Sequence, residues 1–257
     1  METVSCFAHT TPEQSPQTGD LRDHNIPLTA LLNKEGIVTS SRPEMEAITE
    51  RFYPNLFRSS VPLMNHNIPA GDEPPQILPA EVRVAIQSMK LSTAPDPYRI
   101  SADLLRAGGH HLHVILAEHM SSYLRKERIP NQWRTSRTVL IHKKGDREDL
   151  RNFRPICLLS VLCKLFTKII LTQISRTLDE AQPQEQAGFR QGFSCMDNIQ
   201  TVSRVIEVCR EYRLPLVLTF VDYENAFDSV ERNSILSASV DQGVDASYVR
   251  TLADCYR

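Results

Sequence analysis

Asp222 closes a nearly continuous apolar run, LPLVLTFVD over residues 214–222, and is followed by Tyr223, Glu224, Asn225, Ala226, Phe227 and Asp228. A carboxylate delivered to the edge of a sheet by an apolar strand can hold a hard cation such as Mg2+ without losing its place to loop motion. The same acid could cap the following helix instead. A strand-end Asp can also act as the nucleophile of an aspartyl-phosphate phosphatase, although that reading asks for a long α/β domain beyond it and 35 residues follow Asp222.

Phosphate chemistry is suggested further upstream. The stretch 125–176 holds 13 Lys and Arg against 4 Asp and Glu, a net +9, while the rest of the chain, with 16 against 27, stands at −11. The overall net charge of −2 therefore hides a cationic island in an acidic chain. A nucleic-acid backbone or a nucleoside triphosphate would match it, because Lys and Arg neutralise phosphates and release counterions; a solvated helix face is the plain alternative. Within the island, Lys143 and Lys144 precede Gly145 and Asp146, and Arg154 precedes Pro155 and Ile156. A strand ending in Lys, a Gly-containing turn and a returning Arg can gather cations around one phosphate cluster, with Arg offering a bidentate fork.

Other reactive residues point nowhere in particular. His110, His111, His113 and His119 lack the Cys or acidic companions and the HExxH spacing of a zinc site, and are expected on the polar face beside a helix start. The six cysteines form no CxxC pair, which predicts reduced thiols, mostly small core residues. Hydrophobic residues at 41% and charged residues at 23% fit a globular chain, and no run nears the roughly 18 apolar residues of a membrane span. The first twenty residues show neither a basic n-region nor an apolar h-region, so the expected location is intracellular, nuclear or cytoplasmic.

The elements that must position these residues are mostly helical. Residues 1–27 read as a polar tail punctuated by prolines, and Lys34, Glu35 and Gly36 as a turn between two short extended pieces. Met45, Ile48, Phe52 and Leu56 step at helical spacing from Pro43, and residues 61–76 read as loop. Val82, Ala85, Ile86 and Met89 mark a helix after Pro79; another starts at the N-cap Ser101 and stops at Gly108 and Gly109; a third runs from about His111 to Arg125. Residues 136–143 predict a strand, Leu162 to Leu178 a long amphipathic helix, Ile199 to Cys209 another behind the N-cap Asp197, and 214–222 a buried strand.

Three ordered blocks, IHKKGDREDLRNFRPICLLSVLCKLFTKII, QEQAGFRQGFSCMDNI and LTFVDYENAFDSV, resemble the reverse transcriptase of non-LTR (LINE-type) retrotransposons, especially the RTE-like endonuclease/reverse-transcriptase polyproteins. The resemblance covers roughly residues 28–257. It implies an α+β right-hand polymerase fold with helix-rich fingers and an incomplete palm sheet. It divides the chain into a tail at 1–27, a linker region with one amphipathic helix at 28–76, and a reverse transcriptase domain at 77–257. It implies nucleotidyl transfer by two Mg2+ ions on an RNA template, a DNA primer and deoxynucleoside triphosphates. Asp222 takes the place of a palm carboxylate, catalytic and metal-binding, with the Tyr223 backbone carbonyl as an extra ligand. Phe227 falls where a ring packs against the incoming sugar, and Lys143, Lys144 and Arg154 where basic residues reach the triphosphate. Gln186, Gly188, Phe189, Arg190 and Gly192 match a block near template and nucleotide, which makes Gln186 and Arg190 candidates for nucleic-acid contact.

The chain departs from the family at defined places. Polymerisation in the family also uses a downstream Tyr-x-Asp-Asp strand, which is absent before Arg257, so the chain alone is expected to be inactive. The alternatives are then a non-catalytic nucleic-acid-binding relic or an Asp-dependent phosphatase. The family's loop Ala-Pro-Gly-Pro-Asp-Gly-Ile stands here as Ala94, Pro95, Asp96, Pro97, Tyr98, Arg99 and Ile100, with both glycines replaced. If those positions need positive φ, each replacement adds strain of about 1 kcal/mol.

Overall fold

The computed structural model describes residues 28–56, 73–93, 95–96, 98–143, 145–183, 185–188, 190, 192–222 and 230–256. Four short strands and eight helices follow in the order β1 (Leu31–Leu32), β2 (Val38–Thr39), α1 (Arg42–Leu56), α2 (Pro79–Gln87), α3 (Ala102–Ala107), α4 (Gly109–Arg125), β3 (Arg137–His142), β4 (Phe153–Leu158), α5 (Val161–Ala181), α6 (Cys195–Glu211), α7 (Arg232–Asp241) and α8 (Ala246–Cys255). The strands make two antiparallel pairs, β1 with β2 and β3 with β4. This is a mixed fold, mostly helix with small strands.

Capping residues set most helix starts. Pro79 occupies the first position of α2, where its missing N–H costs nothing, and the Glu81 side chain accepts from Leu78 N (2.7 Å). Ser101 Oγ accepts from Leu104 N as expected (3.1 Å), and Ser160 Oγ accepts from Cys163 N to start α5 (3.1 Å). The start of α6 is one turn earlier than the sequence suggests. Ser194 is the N-cap and Asp197 the third helical residue, its carboxylate accepting from both the N–H and the hydroxyl of Ser194 (2.6 and 2.8 Å). The pairing is reciprocal, so the Ser outcompetes the Asp for the cap.

Three apolar clusters hold the helices together. The largest joins α2, α3, α4 and α5 around Trp133 and Phe166, whose rings lie 5.4 Å apart, with Tyr123 edge-on to Trp133. The second packs Leu124 of α4 with Leu236 of α7 and Val244, Tyr248 and Val249, against the outer face of α5. The third seats Leu31 and Tyr53 on Leu150 and Leu140, fastening β1 and α1 to the β3–β4 hairpin, and Leu32 N donates to Glu148 O (2.9 Å). Arg106 of α3 donates to the carbonyls of Ile86, Gln87 and Met89, satisfying the open C-terminal end of α2.

Three expectations need correction. His113 lies inside, 8% exposed, rather than on the polar face, because its position on α4 shares a stripe with Ala117, Met120 and Leu124. Cys163 is a core residue whose thiol burial pushes up, and burial pushes the Cys255 thiol up to about 11, but Cys157 and Cys195 are exposed. The run 214–222 is not a buried strand: Val217 is 88% and Phe220 85% exposed, and no described strand pairs with it. Apolar, β-branched character supplies strand propensity, but a strand is made by a partner. The predicted loop at 61–76 falls largely outside the described residues, as does the tail 1–27.

Candidate functional site

The β3–β4 hairpin is the element that assembles predicted site residues. Its register pairs Ile141 with Arg154, His142 with Phe153 and Leu140 with Pro155. Side chains alternate across a strand, so two faces result. The inner face carries Phe153, 6% exposed, with the His142 ring edge-on at 5.2 Å and Leu140 in the third cluster. The outer face carries Ile156 and Leu158, both about two-fifths exposed, then Arg154 and, one step beyond the last pair, Lys143. Lys143 N donates to Asn152 O (2.8 Å), continuing the ladder. Lys143 and Arg154 are therefore diagonal neighbours on one exposed face, a separation of about 7–8 Å between backbones. Pro155 is tolerated in β4 because an edge strand has no further ladder to serve.

The turn between the strands is built by local side-chain bonds. Gly145 has φ +93°, and a Cβ there would meet the Asn152 amide at 3.0 Å, so both conformation and space favour glycine. Asn152 Nδ2 donates to Asp146 O (2.8 Å), and Glu148 N to Asp146 Oδ1 (2.9 Å). Asp149 accepts from Arg151 through both its backbone and its guanidinium, and that guanidinium holds the Asp149 carboxyl below the usual carboxylate range. Part of the cationic island is thus consumed internally: Arg151 meets Asp149, Arg134 meets Asp254, and Arg176 meets Glu180.

The other predicted residues are not brought to the hairpin by any described contact. Arg190 donates to the carbonyls of Pro183 and Asp179 (both 3.3 Å) and stacks over Phe193 at 5.2 Å, closing the C-terminal end of α5. Gln186 Nε2 donates to Gly188 O (3.1 Å). Asp222 is exposed at the end of the apolar run. Lys144, Tyr223 and Phe227 lie outside the described residues, as does Phe189.

Mg2+ keeps several waters and is held by more than one oxygen donor. Among the described residues no group of three His, Cys, Asp or Glu comes together, and Asp222 offers a single carboxylate. The described residues do not by themselves fit the ion.

Two features escaped the sequence reading. The Asp96 carboxylate accepts from Tyr98 N and Ile100 N, and its other oxygen from Val161 N (3.0 Å), tying loop 95–100 to the first residue of α5. An Asp followed by a turn is the signal for such a loop, but its partner 65 residues on is not. Asp254, 3% exposed, accepts from Ile129 N (3.0 Å) and Arg134 Nη2 (2.7 Å), anchoring α8 to the segment after α4. The helix itself was findable: Asp245 stands as an N-cap before Tyr248, Val249 and Leu252 at helical spacing.

The described residues thus form a mixed fold in which a hairpin with exposed Lys143 and Arg154 is clamped onto a mostly helical body. Residues 141–256, beginning within that hairpin, match the family described as reverse transcriptase (RNA-dependent DNA polymerase). The chain is 29% identical over 160 residues to the "Probable RNA-directed DNA polymerase from transposon BS" of Drosophila melanogaster, covering 61% of this chain and 18% of that protein. It is 31% identical over 123 residues to the "Retrovirus-related Pol polyprotein from type-1 retrotransposable element R2" of Popillia japonica (48% and 17%), and 27% identical over 159 residues to the "RNA-directed DNA polymerase from mobile element jockey" of Drosophila melanogaster (61% and 17%). Residues 141–256 thus match part of a reverse transcriptase domain, and the relatives of the chain include RNA-directed DNA polymerases of non-LTR, LINE-type retrotransposons. The chain spans 17–18% of the length of these curated relatives. Among the described residues no helix is long and apolar enough to cross a membrane.

Proposed function

We propose that this chain supplies the fingers and the first palm portion of a right-hand RNA-directed DNA polymerase, residues 77–257 forming the polymerase part and 28–76 leading into it. Its own contribution to nucleotidyl transfer is to bind phosphate. The observation that carries this reading is that Lys143 and Arg154, 11 residues apart, share the exposed face at the turn end of one hairpin. Cations carried on diagonal strand positions, with backbones about 7–8 Å apart, can reach one triphosphate together, and Arg adds a planar fork. The packing of Leu31 and Tyr53 against Leu150 supports the hairpin backbone from behind. Lys144, next to Lys143 in the sequence, is the third cation of this reading.

In this reading the substrates are deoxynucleoside triphosphates, and the partners are an RNA template and a DNA primer. Asp222 is the palm carboxylate for Mg2+, with the Tyr223 carbonyl beside it and Phe227 against the incoming sugar. A complete set of palm acids, with Asp222 as one of them, would hold the metal, which would supply charge neutralisation at the triphosphate. Gln186 and Arg190 stand near the template path; because Arg190 already closes α5, its part there is to position the 186–193 segment.

Fluorescence anisotropy of this chain with a labelled RNA–DNA primer–template tests the reading. Affinity is expected to fall steeply between 50 and 200 mM salt, with a slope of about −0.7 to −0.9 for each phosphate neutralised, and the pair Lys143→Glu and Arg154→Glu is expected to flatten it. Binding that is insensitive to salt, or unchanged in the double variant, contradicts the proposal.

A further inference from the structure

A histidine closes the turn of the β3–β4 hairpin. His142, the last residue of β3, stands opposite Phe153 on the inner face, and its Nε2 lies 3.2 Å from the Gly145 carbonyl oxygen. A carbonyl can only accept, so Nε2 carries the hydrogen and Nδ1 is the atom that takes a second proton. The bond spans the two lysines between His142 and Gly145 in the sequence. Together with Asn152 Nδ2 donating to Asp146 O (2.8 Å), it shapes the turn that follows Lys143. The Phe153 ring, edge-on at 5.2 Å, holds the imidazole in that pose. The donor role survives protonation, because an imidazolium donates from both nitrogens; proton uptake therefore leaves the turn closed and adds a charge.

We propose that His142 is the proton-linked positioning residue of the hairpin: it holds the Gly145 carbonyl throughout and takes up a proton at Nδ1 when phosphate binds at Lys143 and Arg154. The inference rests on the phosphate site proposed above and adds its regulation. Residues 143–154 carry five cations, Lys143, Lys144, Arg147, Arg151 and Arg154, against the three acids Asp146, Glu148 and Asp149, a net +2. Asp149 is paired with Arg151 (2.6 Å), and from α1 the third cluster brings the Tyr53 phenol to the inner face. An imidazolium adds to that positive charge in the anion-free turn and offsets the charge of a bound triphosphate, so the anion favours the protonated ring. Linkage is reciprocal: the factor by which the anion raises proton affinity is the factor by which the proton raises anion affinity. One charge about 8–10 Å from the phosphates, at the dielectric of a protein surface, amounts to about three- to tenfold.

Titration of a fluorescent deoxynucleoside triphosphate into the 257-residue chain at about pH 6, 7 and 8, the range in which histidine changes charge, provides the test. The parent, His142→Gln and His142→Ala are compared, and the ligand's own titration, common to all three, cancels in the ratio of affinities. The ratio of parent to His142→Gln is expected to grow about three- to tenfold from pH 8 to pH 6, because the amide cannot take the proton. At pH 8, His142→Gln is expected to bind more tightly than His142→Ala, because its N–H can still hold the Gly145 carbonyl. A ratio that stays flat with pH, as a purely structural histidine would give, or a His142→Gln no better than His142→Ala, overturns the inference. Should His142→Gln unfold by circular dichroism, His142→Asn takes its place in the ratio. Affinity unaffected by Lys143→Glu with Arg154→Glu contradicts the phosphate site and this inference with it, whereas affinity lost in that variant alongside a flat ratio overturns the role of His142 alone.

Discussion

Replacing Arg99 and Asp96 by glycine, one at a time, is predicted to move stability in opposite directions. The related loop of the family has glycine at both places. Arg99 adopts φ +62°, a left-handed conformation in which a non-glycine residue is strained by about 1–2 kcal/mol. Arg99→Gly relieves that strain but adds unfolded-state entropy of roughly 0.5–1 kcal/mol. The net is a gain of up to about 1 kcal/mol, or about 2–4 °C in a domain of this size. Asp96 does not have positive φ, and its carboxylate accepts three backbone N–H groups, those of Tyr98, Ile100 and Val161. Charge-assisted bonds to backbone are worth about 1.5–3 kcal/mol each before solvent screening. With the loop partly exposed, Asp96→Gly is expected to cost about 2–4 kcal/mol in all, entropy included. Urea denaturation followed by circular dichroism reads both variants on one scale. Two shifts of the same sign, or an Asp96→Gly as stable as the parent, would refute the assignment of strain to one position and anchorage to the other.

Other perturbations probe the helical body and its pH response. Asp254→Ala leaves Arg134 without its carboxylate and the buried Ile129 N–H without an acceptor, and is expected to cost about 3 kcal/mol in urea denaturation. Burial, assisted by His110 and Arg83, holds His113 below its ordinary 6.5. The unfolded chain therefore takes up a proton that the folded chain resists, so this residue's contribution weakens stability as pH falls through 6.5 and levels off below the folded value. Stability measured from pH 7.5 to 5 should decline less steeply in His113→Leu than in the parent; equal slopes would show that His113 titrates freely.

Much of the helical frame was legible because its signals are local. Pro79, Ser101 and the apolar steps of α1, α2 and α5 fix those elements from neighbours three and four residues away. β4 was not legible, since FRPICL carries a proline and little alternation, and its strand state comes from pairing with β3. The same applies to the site. Lys143 and Arg154 could be named from the sequence as phosphate-binding candidates, but their common face depends on the register Ile141 to Arg154. The run 214–222 shows the converse failure: its residues favour a strand, and the described residues contain no partner for it. Ser194 displaced Asp197 as the cap of α6 through a reciprocal bond that single-residue preference does not encode.

Binding of a fluorescent deoxynucleoside triphosphate to the 257-residue chain tests the central claim most directly. Each hairpin cation lost should remove a charge-assisted bond worth about 1.5–3 kcal/mol, a factor of roughly ten or more in affinity. The prediction is that Arg154→Glu and Lys143→Glu each weaken binding by at least about tenfold, while Asp222→Asn, a single carboxylate without a described metal site, changes it less than about twofold. Affinity unchanged in both hairpin variants, or lost only in Asp222→Asn, would contradict the assignment of the β3–β4 hairpin as the phosphate-binding element.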